Sequence, residues 1–346
     1  MIVARTSLTS LDDLADAGLA EATDALKEVA DRYAIAITPE MAAIIEKHGM
    51  DSPVARQFLP DARELTIAPG ETADPISDRA YTPVEGVVHR YPDRVLLKAV
   101  HVCPVYCRFC FRREMVGPAG DGLLAAEKLD QALAYIGSHP EIWEVILTGG
   151  DPLVLSPRRL ARLIDPLREM PHVKVLRIHS RVPLVDPGRI DAGLVEVLKS
   201  SGKTVYVALH ANHADEFTAE GRAAVARLVD AGVSMVSQSV LLRGVNDDAD
   251  VLATLMRTFV ENRIKPYYLH HPDLAPGTGH FRVTVEEGQT LVASLRGRLS
   301  GLCQPHYVLD IPGGHGKAYV NAAEYAEGEN GLSLKDYKGN LHSYEG

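Results

Sequence analysis

From residue 94 onward the chain alternates short apolar runs with stretches of helical periodicity, and this alternation constrains its fold more than any other feature. The apolar runs lie at 94–103, 144–150, 174–180, 204–210, 233–242, 266–271 and 306–310. Helical patterns separate them near residues 122–137, 157–169, 188–200, 216–231, 247–262 and 285–299. This alternation predicts βαβ units and a parallel sheet. Because no GxGxxG follows the first strand, an α/β fold built as a full or partial (β/α) barrel is favoured over a dinucleotide-binding fold.

The residues that flank the alternating region differ from it in pattern. Between residues 9 and 48 the apolar spacing predicts two helices, and the Pro-, Asp- and Gly-rich residues 50–85 predict an irregular wrapping segment without a core of its own. Turn residues at 329–331 and 338–340 predict a terminal hairpin. We therefore expect a helical and wrapping segment at 1–85, a barrel domain at 86–318 and a short C-terminal extension at 319–346.

The composition weighs against several classes of protein. Hydrophobic residues make up 46% of the 346 residues and charged residues 24%, which is typical of a globular chain. The formal net charge of −10 weighs against non-specific nucleic-acid binding, because that requires a basic surface. No apolar run reaches the roughly eighteen residues of a membrane span, and the acidic start lacks the pattern of a signal peptide. We expect a cytoplasmic protein that binds neither nucleic acid nor membranes.

Three of the four cysteines lie within eight residues, where the first predicted strand ends. Cys103, Cys107 and Cys110 have the spacing CxxxCxxC. Three thiolates on one short loop can bind three irons of a [4Fe–4S] cluster and leave the fourth iron open, as a catalytic site requires. The alternative is a structural zinc with His101 or Cys303 as the fourth ligand. Zinc sites usually pair two close-spaced cysteine units, and no second unit exists, so the spacing favours the cluster.

The CxxxCxxC sequence, with the aromatic Phe109 before its third cysteine, resembles the signature of the radical S-adenosylmethionine superfamily. The resemblance implies that these cysteines bind a [4Fe–4S] cluster whose free iron binds S-adenosylmethionine, on a partial parallel (β/α)6 barrel. The sequence Thr-Gly-Gly-Asp-Pro at 148–152 is similar to the motif that contacts the amino group of that cofactor, although alone it would be an ordinary turn. The resemblance implies these S-adenosylmethionine contacts: Gly149, Gly150, Asp151, Ser180, His210 and Gln238.

Longer stretches resemble lysine 2,3-aminomutase, a radical enzyme that also uses pyridoxal phosphate. The similarity runs from about residue 50 to the C-terminus. The stretches are HRYPDRVLL (89–97), FRRE (111–114), IHSRVP (178–183), NH with the following acidic residues (212–216), QSVLLRGVND (238–247), PYYLHHPDLAPGTGHFR (266–282) and DIPGGHGK (310–317).

The resemblance to the aminomutases implies a role for several further side chains. Lys317, at the end of a Gly-rich loop, corresponds to the lysine that binds pyridoxal phosphate, and Tyr91 and Arg94 lie in the segment near the ring and phosphate of that cofactor. Arg112 corresponds to the residue that binds the substrate carboxylate, and a guanidinium suits that task because it can donate two parallel hydrogen bonds. Asp273 and Asp310 correspond to the pair that binds the ε-ammonium of lysine, and two carboxylates at one end of a site favour a cationic side chain over an anionic one.

The implied function is therefore an isomerase that moves an amino group between carbons 2 and 3 of L-lysine through a 5′-deoxyadenosyl radical. An electron donor such as flavodoxin or ferredoxin would reduce the cluster. One alternative is the same chemistry on another amino acid, or in the modification of elongation factor P. A remote alternative is a non-catalytic metal-binding barrel.

The chain departs from the classical aminomutases at its end. Those enzymes continue into a Cys-rich zinc-binding tail that contributes to their assembly, whereas here no cysteine follows Cys303. We expect no structural zinc, and a homodimer rather than the tetramer of the classical family. His315 replaces a glycine of the classical loop.

Overall fold

The strands of the computed structural model follow the predicted alternation closely. The structure describes residues 6–113, 115–116, 122–323, 325–328, 331–336 and 338–344. Nine strands form one sheet in chain order: β1 (Val87–Tyr91), β2 (Arg94–Val100), β3 (Glu144–Gly149), β4 (Val175–Ser180), β5 (Thr204–His210), β6 (Ser234–Val240), β7 (Lys265–His270), β8 (His306–Asp310) and β9 (Lys317–Tyr319). Strands β2 to β8 run parallel, and β1 and β9 are antiparallel to their neighbours.

Helices connect the parallel strands and cover the outer face of the sheet. They are α5 (Ala126–Gly137), α6 (Pro157–Arg168), α7 (Val182–Val185), α8 (Ala192–Lys199), α9 (Ala219–Asp230), α10 (Ala249–Glu261) and α11 (Val285–Ala293). Their apolar faces form one core with the outward residues of the strands, so the predicted partial parallel (β/α)6 barrel is confirmed. Within the described ranges, no ladder pairs β1 with β9, and the barrel is open between these two edges.

Strand β4 shows how the sheet presents polar groups inside the barrel. Leu176 and Ile178 are fully buried in the core shared with the helices. Because neighbouring residues of a strand point to opposite faces, Arg177 and His179 point into the barrel. The same alternation on the other strands places polar and charged side chains in the interior, at the ends of strands where a parallel barrel carries its chemistry.

In the described residues, four α-helices precede the barrel: α1 (Leu11–Asp16), α2 (Asp24–Arg32), α3 (Pro39–His48) and α4 (Pro53–Phe58). The prediction of two helices before residue 48 was wrong, because Gly18 has φ +70° just after α1 and Thr23 caps a separate helix. The irregular wrapping segment predicted at residues 50–85 contains one α-helix, α4. It buries Val54 and Phe58 in a core shared with α1 and α3.

Beyond the barrel lie three short antiparallel strands, β10 (Tyr325–Gly328), β11 (Gly331–Lys335) and β12 (Leu341–Tyr344). Two of the predicted turn residues, Glu329 and Asn330, lie outside the described residues. The domain boundaries at 85/86 and 318/319 stay predictions. In the part of the chain that the structure describes, no helix is long and apolar enough to cross a bilayer.

Candidate active site

The cysteine loop follows β2 and brings the three thiols close together. Burial raises the pKa of Cys103 well above its usual value, and the nearby Asp151, Cys110 and Cys107 raise it further. Burial, with the Cys107 thiol beside it, raises the pKa of Cys110 to about 11. Since each thiol must lose its proton to bind iron, binding of a cationic cluster here releases protons.

The triad suits a cluster better than a single ion. Among the described residues, no three His, Cys, Asp or Glu side chains converge on a point that one metal ion could occupy. A [4Fe–4S] cluster does not need such convergence, because each thiolate binds a different iron. The donor set of three soft thiolates on one loop therefore fits the predicted cluster.

Gly149 and Gly150 are the points at which β3 touches the start of the cysteine loop. Gly149 has φ +111°, and a Cβ atom there would lie 2.3 Å from the carbonyl oxygen of Val100. A Cβ on Gly150 would lie 2.2 Å from the carbonyl oxygen of Val102. Only glycine allows this close approach, so the motif fixes the backbone that leads into Cys103.

Asp151 and Ser180 are buried and engaged with the backbone of the loop after β4. The Asp151 carboxylate accepts hydrogen bonds from the amides of Leu153 (3.1 Å), Arg181 (2.6 Å) and Val182 (3.2 Å). The Ser180 hydroxyl also accepts from the Val182 amide, at 3.0 Å. These contacts connect the end of β3 to the end of β4, and the predicted S-adenosylmethionine contacts of both residues stay predictions.

Arg181 is a residue of the site whose role the sequence did not reveal. Its guanidinium is buried and donates to Cys107 Sγ at 3.1 Å and to Gln57 Oε1 at 3.0 Å. It also pairs with Glu216, which is fully buried. Gln57 Nε2 donates to Glu216 Oε1 at 3.1 Å. A cation thus touches one thiol of the triad, and helix α4 of the N-terminal segment helps to hold it there.

His210 and Gln238 lie side by side on β5 and β6, at the rim next to the cysteine loop. The His210 ring is 5.7 Å from the Phe109 ring, centroid to centroid. In the described part of the chain, the buried Nε2 atoms of His179, His210 and His270 have no hydrogen-bond partner. Unpaired buried polar atoms are costly, so these three imidazoles fit a site that binds a polar ligand. His179 and His270 were not predicted, although both lie at strand ends.

Lys317, Asp310 and Asp273 come together at the far side of the barrel. Lys317 Nζ donates to both carboxylate oxygens of Asp310 at 2.7 Å. The nearby His270 and the hydrogen bonds from Lys317 overcome the effect of burial and lower the pKa of Asp310. Burial and the nearby charge of Asp310 raise the pKa of Asp273 to about 7. The structure therefore brings together the predicted cofactor lysine and the predicted ammonium-binding pair.

Tyr91 connects the two edge strands of the barrel, β1 and β9, next to Lys317. Its hydroxyl accepts a hydrogen bond from the Lys317 amide at 2.9 Å. A Cβ atom on Gly316 would lie 2.8 Å from that hydroxyl, and Gly316 has φ +91°. The guanidinium of Arg94 stacks on the Tyr91 ring at 3.8 Å. An accessible amine in a glycine loop, with an aromatic ring and a guanidinium beside it, fits an anionic aldehyde cofactor.

Arg112 points into the barrel, where it binds a carboxylate of the chain. Its Nη2 donates to Asp78 Oδ2 at 2.8 Å, and Asp78 also accepts from Arg90 at 3.2 Å. Lys98 Nζ lies 3.9 Å from the same carboxylate. Asp78 and Lys98 were not predicted, because Asp78 lies in the irregular segment and a lysine in a strand carries no signal. Three cations thus surround one carboxylate at this end of the site.

The chain can be compared with known proteins. The Radical SAM superfamily matches residues 97–256, from β2 to α10. L-lysine 2,3-aminomutase of Clostridium subterminale is 40% identical over 311 residues, which cover 90% of this chain and 74% of that protein. The Escherichia coli protein of the same name is 39% identical over 269 residues, 78% of each chain. A radical SAM methyltransferase from Sphaerobacter thermophilus superimposes with a TM-score of 0.48 at 20% identity, over 64% of this chain and 68% of that one.

The extent and identity of the sequence matches agree with the cysteine loop and the polar barrel interior described above. The chain is therefore an isomerase of the aminomutase class and belongs to the L-lysine 2,3-aminomutase family of the Radical SAM superfamily.

Proposed function

We propose that this protein interconverts L-lysine and β-lysine with a [4Fe–4S] cluster, S-adenosylmethionine and pyridoxal phosphate. The superfamily implies the first two cofactors, and the aminomutase relatives imply the third. When bound, these groups supply a 5′-deoxyadenosyl radical that takes hydrogen from carbon 3 and an aldehyde that carries the migrating nitrogen. The residues that would bind them are Cys103, Cys107 and Cys110 for the cluster, Lys317 with Tyr91 and Arg94 for pyridoxal phosphate, and Gly149, Gly150, Asp151, Ser180, His210 and Gln238 for S-adenosylmethionine.

The contact between Lys317 and Asp310 is the observation that supports lysine as the substrate. The Lys317 ammonium is chemically the same group as the ε-ammonium of free lysine, and Asp310 accepts two hydrogen bonds from it. The Asp273 carboxyl is close enough for the charge of Asp310 to raise its pKa. Asp310 and Asp273 would bind the side-chain ammonium of a substrate through the same kind of carboxylate contact.

The contact between Arg112 and Asp78 indicates how the α-carboxylate, at the opposite end of the same substrate, would bind. Asp78 stands in for the α-carboxylate of an amino acid, because its Oδ2 accepts two hydrogen bonds from Arg112, at 2.8 and 3.3 Å. Arg112 is close enough to Asp273 to lower the pKa of that carboxyl, so both residues face one interior. An amino acid with a cationic side chain satisfies both ends at once, and the low-dielectric interior strengthens each contact.

An anaerobic assay tests the proposal. The protein, loaded with cluster and pyridoxal phosphate, is supplied with S-adenosylmethionine, a reductant and L-lysine, and β-lysine is measured. We expect β-lysine to form, and a fully loaded protein that makes none would overturn the proposal.

The choice of substrate is tested by Asp310→Asn and Asp273→Asn. Each variant should raise KM for lysine and lower kcat/KM while it keeps the cluster and pyridoxal phosphate absorbance. Asp230→Asn is the matched control, because Asp230 is exposed and pairs with Arg263 on the surface. Lysine turnover that is indifferent to both changes at the site would contradict the ammonium role.

Two features of the assembly are part of the same proposal. An electron donor such as flavodoxin or ferredoxin supplies the electron that the chemistry requires, and the chain forms a homodimer. Sedimentation of the purified protein measures the second.

A further inference from the structure

Helix α6 carries a basic face near its amino-terminal end. Arg158, Arg159 and Arg162 are all exposed. Their spacing of three and four residues places them on one side of the helix. Within the residues that the structure describes, none of the three forms an ion pair, although the chain as a whole carries a net charge of −10.

This basic face adjoins the cysteine loop. A cavity of ≈ 250 Å³ is lined by Val102 and Cys103 on one side and by Arg159 and Arg189 on another. Arg189 lies on the segment between α7 and α8 and donates to the Val154 carbonyl at 2.9 Å. The four arginines therefore form a surface that reaches the wall of the candidate cluster site from outside the barrel.

The acidic groups next to this surface are fewer than its cations. Asp186 pairs with Arg189, Asp165 of α6 pairs with Arg168, and Asp191 is used as the amino-terminal cap of α8. Because these three carboxylates are engaged elsewhere, Arg158, Arg159 and Arg162 leave the surface positive. Because the chain is acidic as a whole, most of its surface repels an acidic partner. A local positive patch therefore guides such a partner to one place and raises its rate of association.

We propose that the face formed by Arg158, Arg159, Arg162 and Arg189 is the docking surface for an acidic one-electron carrier protein. This inference rests on the proposed function, because that function requires the cluster to be reduced from outside. The reduced carrier loses one electron and the oxidised cluster held by Cys103, Cys107 and Cys110 gains it, and no atom is transferred. Docking over the cavity beside Cys103 places the carrier next to the loop that holds the cluster.

Charge reversal on the loaded protein tests the surface. The triple variant Arg158→Glu, Arg159→Glu, Arg162→Glu is compared with a control triple, Lys47→Glu, Lys174→Glu, Arg257→Glu, whose residues are exposed and do not line the cavity. The absorbance change of the cluster is followed by stopped flow with reduced flavodoxin or ferredoxin as the donor. Photoreduced deazariboflavin serves as a small neutral reductant that needs no docking.

We expect the α6 triple to be reduced by the protein donor at least roughly tenfold more slowly than the wild type at low salt, because electrostatic steering is lost. Reduction by deazariboflavin should be unchanged, and the control triple should behave like the wild type. Equal slowing in both triples, or no slowing in the α6 triple, would overturn the docking surface. Turnover of lysine with deazariboflavin as the reductant tests the proposed function separately, since it does not depend on this face.

Discussion

Two carboxylates in neighbouring irregular segments, Glu64 and Asp78, each lie close to several cationic side chains. Only the group around Asp78 faces the interior of the barrel. Glu64 is fully buried and pairs with Arg108 and Arg113, which are also sealed from solvent. Asp78 pairs with Arg112, whose side chain keeps 12% of its surface exposed. The two groups have similar chemistry but different roles, because burial decides whether a ligand can reach their arginine side chains.

The Glu64 group ties the N-terminal segment to the cysteine loop. Arg108 donates to Glu64 at 2.8 and 2.6 Å and to the Ala34 carbonyl at 2.7 Å. Arg113 pairs with Glu64 and donates to the Pro276 carbonyl at 3.1 Å. Every partner comes from the chain itself, so this group holds segments together. The Asp78 group uses a chain carboxylate where the proposed substrate would supply its own.

The largest effect is expected at the sealed group. Glu64→Gln leaves Arg108 and Arg113 buried without a counter-charge, which costs about 3–5 kcal/mol of unfolding free energy. Urea unfolding of the protein without cofactors measures it. Glu287→Gln is the control, because Glu287 is exposed and its pair with Arg243 should not affect the midpoint. A Glu64→Gln midpoint equal to that of the wild type would contradict the structural role.

The adjacent arginines 112 and 113 sharpen the comparison. Arg112→Gln should lower kcat/KM for lysine by about 10²–10³-fold, because a charge-assisted contact to the substrate carboxylate is lost. Its unfolding midpoint should change less than that of Arg113→Gln, which leaves Glu64 with one cation fewer. Both quantities are measured on the same preparations, and the reverse order of effects would show that the two groups have been assigned the wrong way round.

The open part of the site should also respond to pH. The pKa of about 7 at Asp273 means that the carboxyl gains a proton below neutrality and binds an ammonium poorly. We expect KM for lysine to be constant above pH 7 and to rise up to about tenfold per pH unit below it. Asp273→Asn should remove this dependence, and a KM that falls below pH 7 in the wild type would be inconsistent with it.

The same raised pKa has a consequence for stability. The folded protein holds this proton more tightly than the unfolded chain does. The contribution of Asp273 to stability is therefore complete below its ordinary pKa and is lost as pH rises to about 7.

The smallest expected effect concerns the hydrogen bonds of Arg181, Gln57 and Glu216, which are buried and contact the cysteine loop. Arg181 donates to Cys107 Sγ, and hydrogen bonds to cluster sulfurs stabilise the reduced form. Arg181→Lys should therefore lower the reduction potential of the cluster, as measured by a redox titration followed by electron paramagnetic resonance. Arg222→Lys is the control, because Arg222 donates to the Phe217 carbonyl and not to a cysteine. An unchanged potential in Arg181→Lys would refute the role of the contact.

The sequence alone determined the order of the strands and the spacing of the cysteine triad, and it indicated Lys317 through resemblance. Strand order follows from apolar periodicity, which is local, and the triad from the spacing of rare residues. It also indicated Asp273 and Asp310, through resemblance. Only the tertiary structure decided that Asp310 is bonded to Lys317 and that Arg112 and Arg113 face different carboxylates.

The reason is physical. Asp78, Glu64 and Gln57 lie in segments with no periodicity, and their roles arise from contacts with residues tens of positions or more away in the chain. Burial, which separates a sealed pair from an open one, is a property of the packed molecule and leaves no mark in the identity of an arginine or a carboxylate.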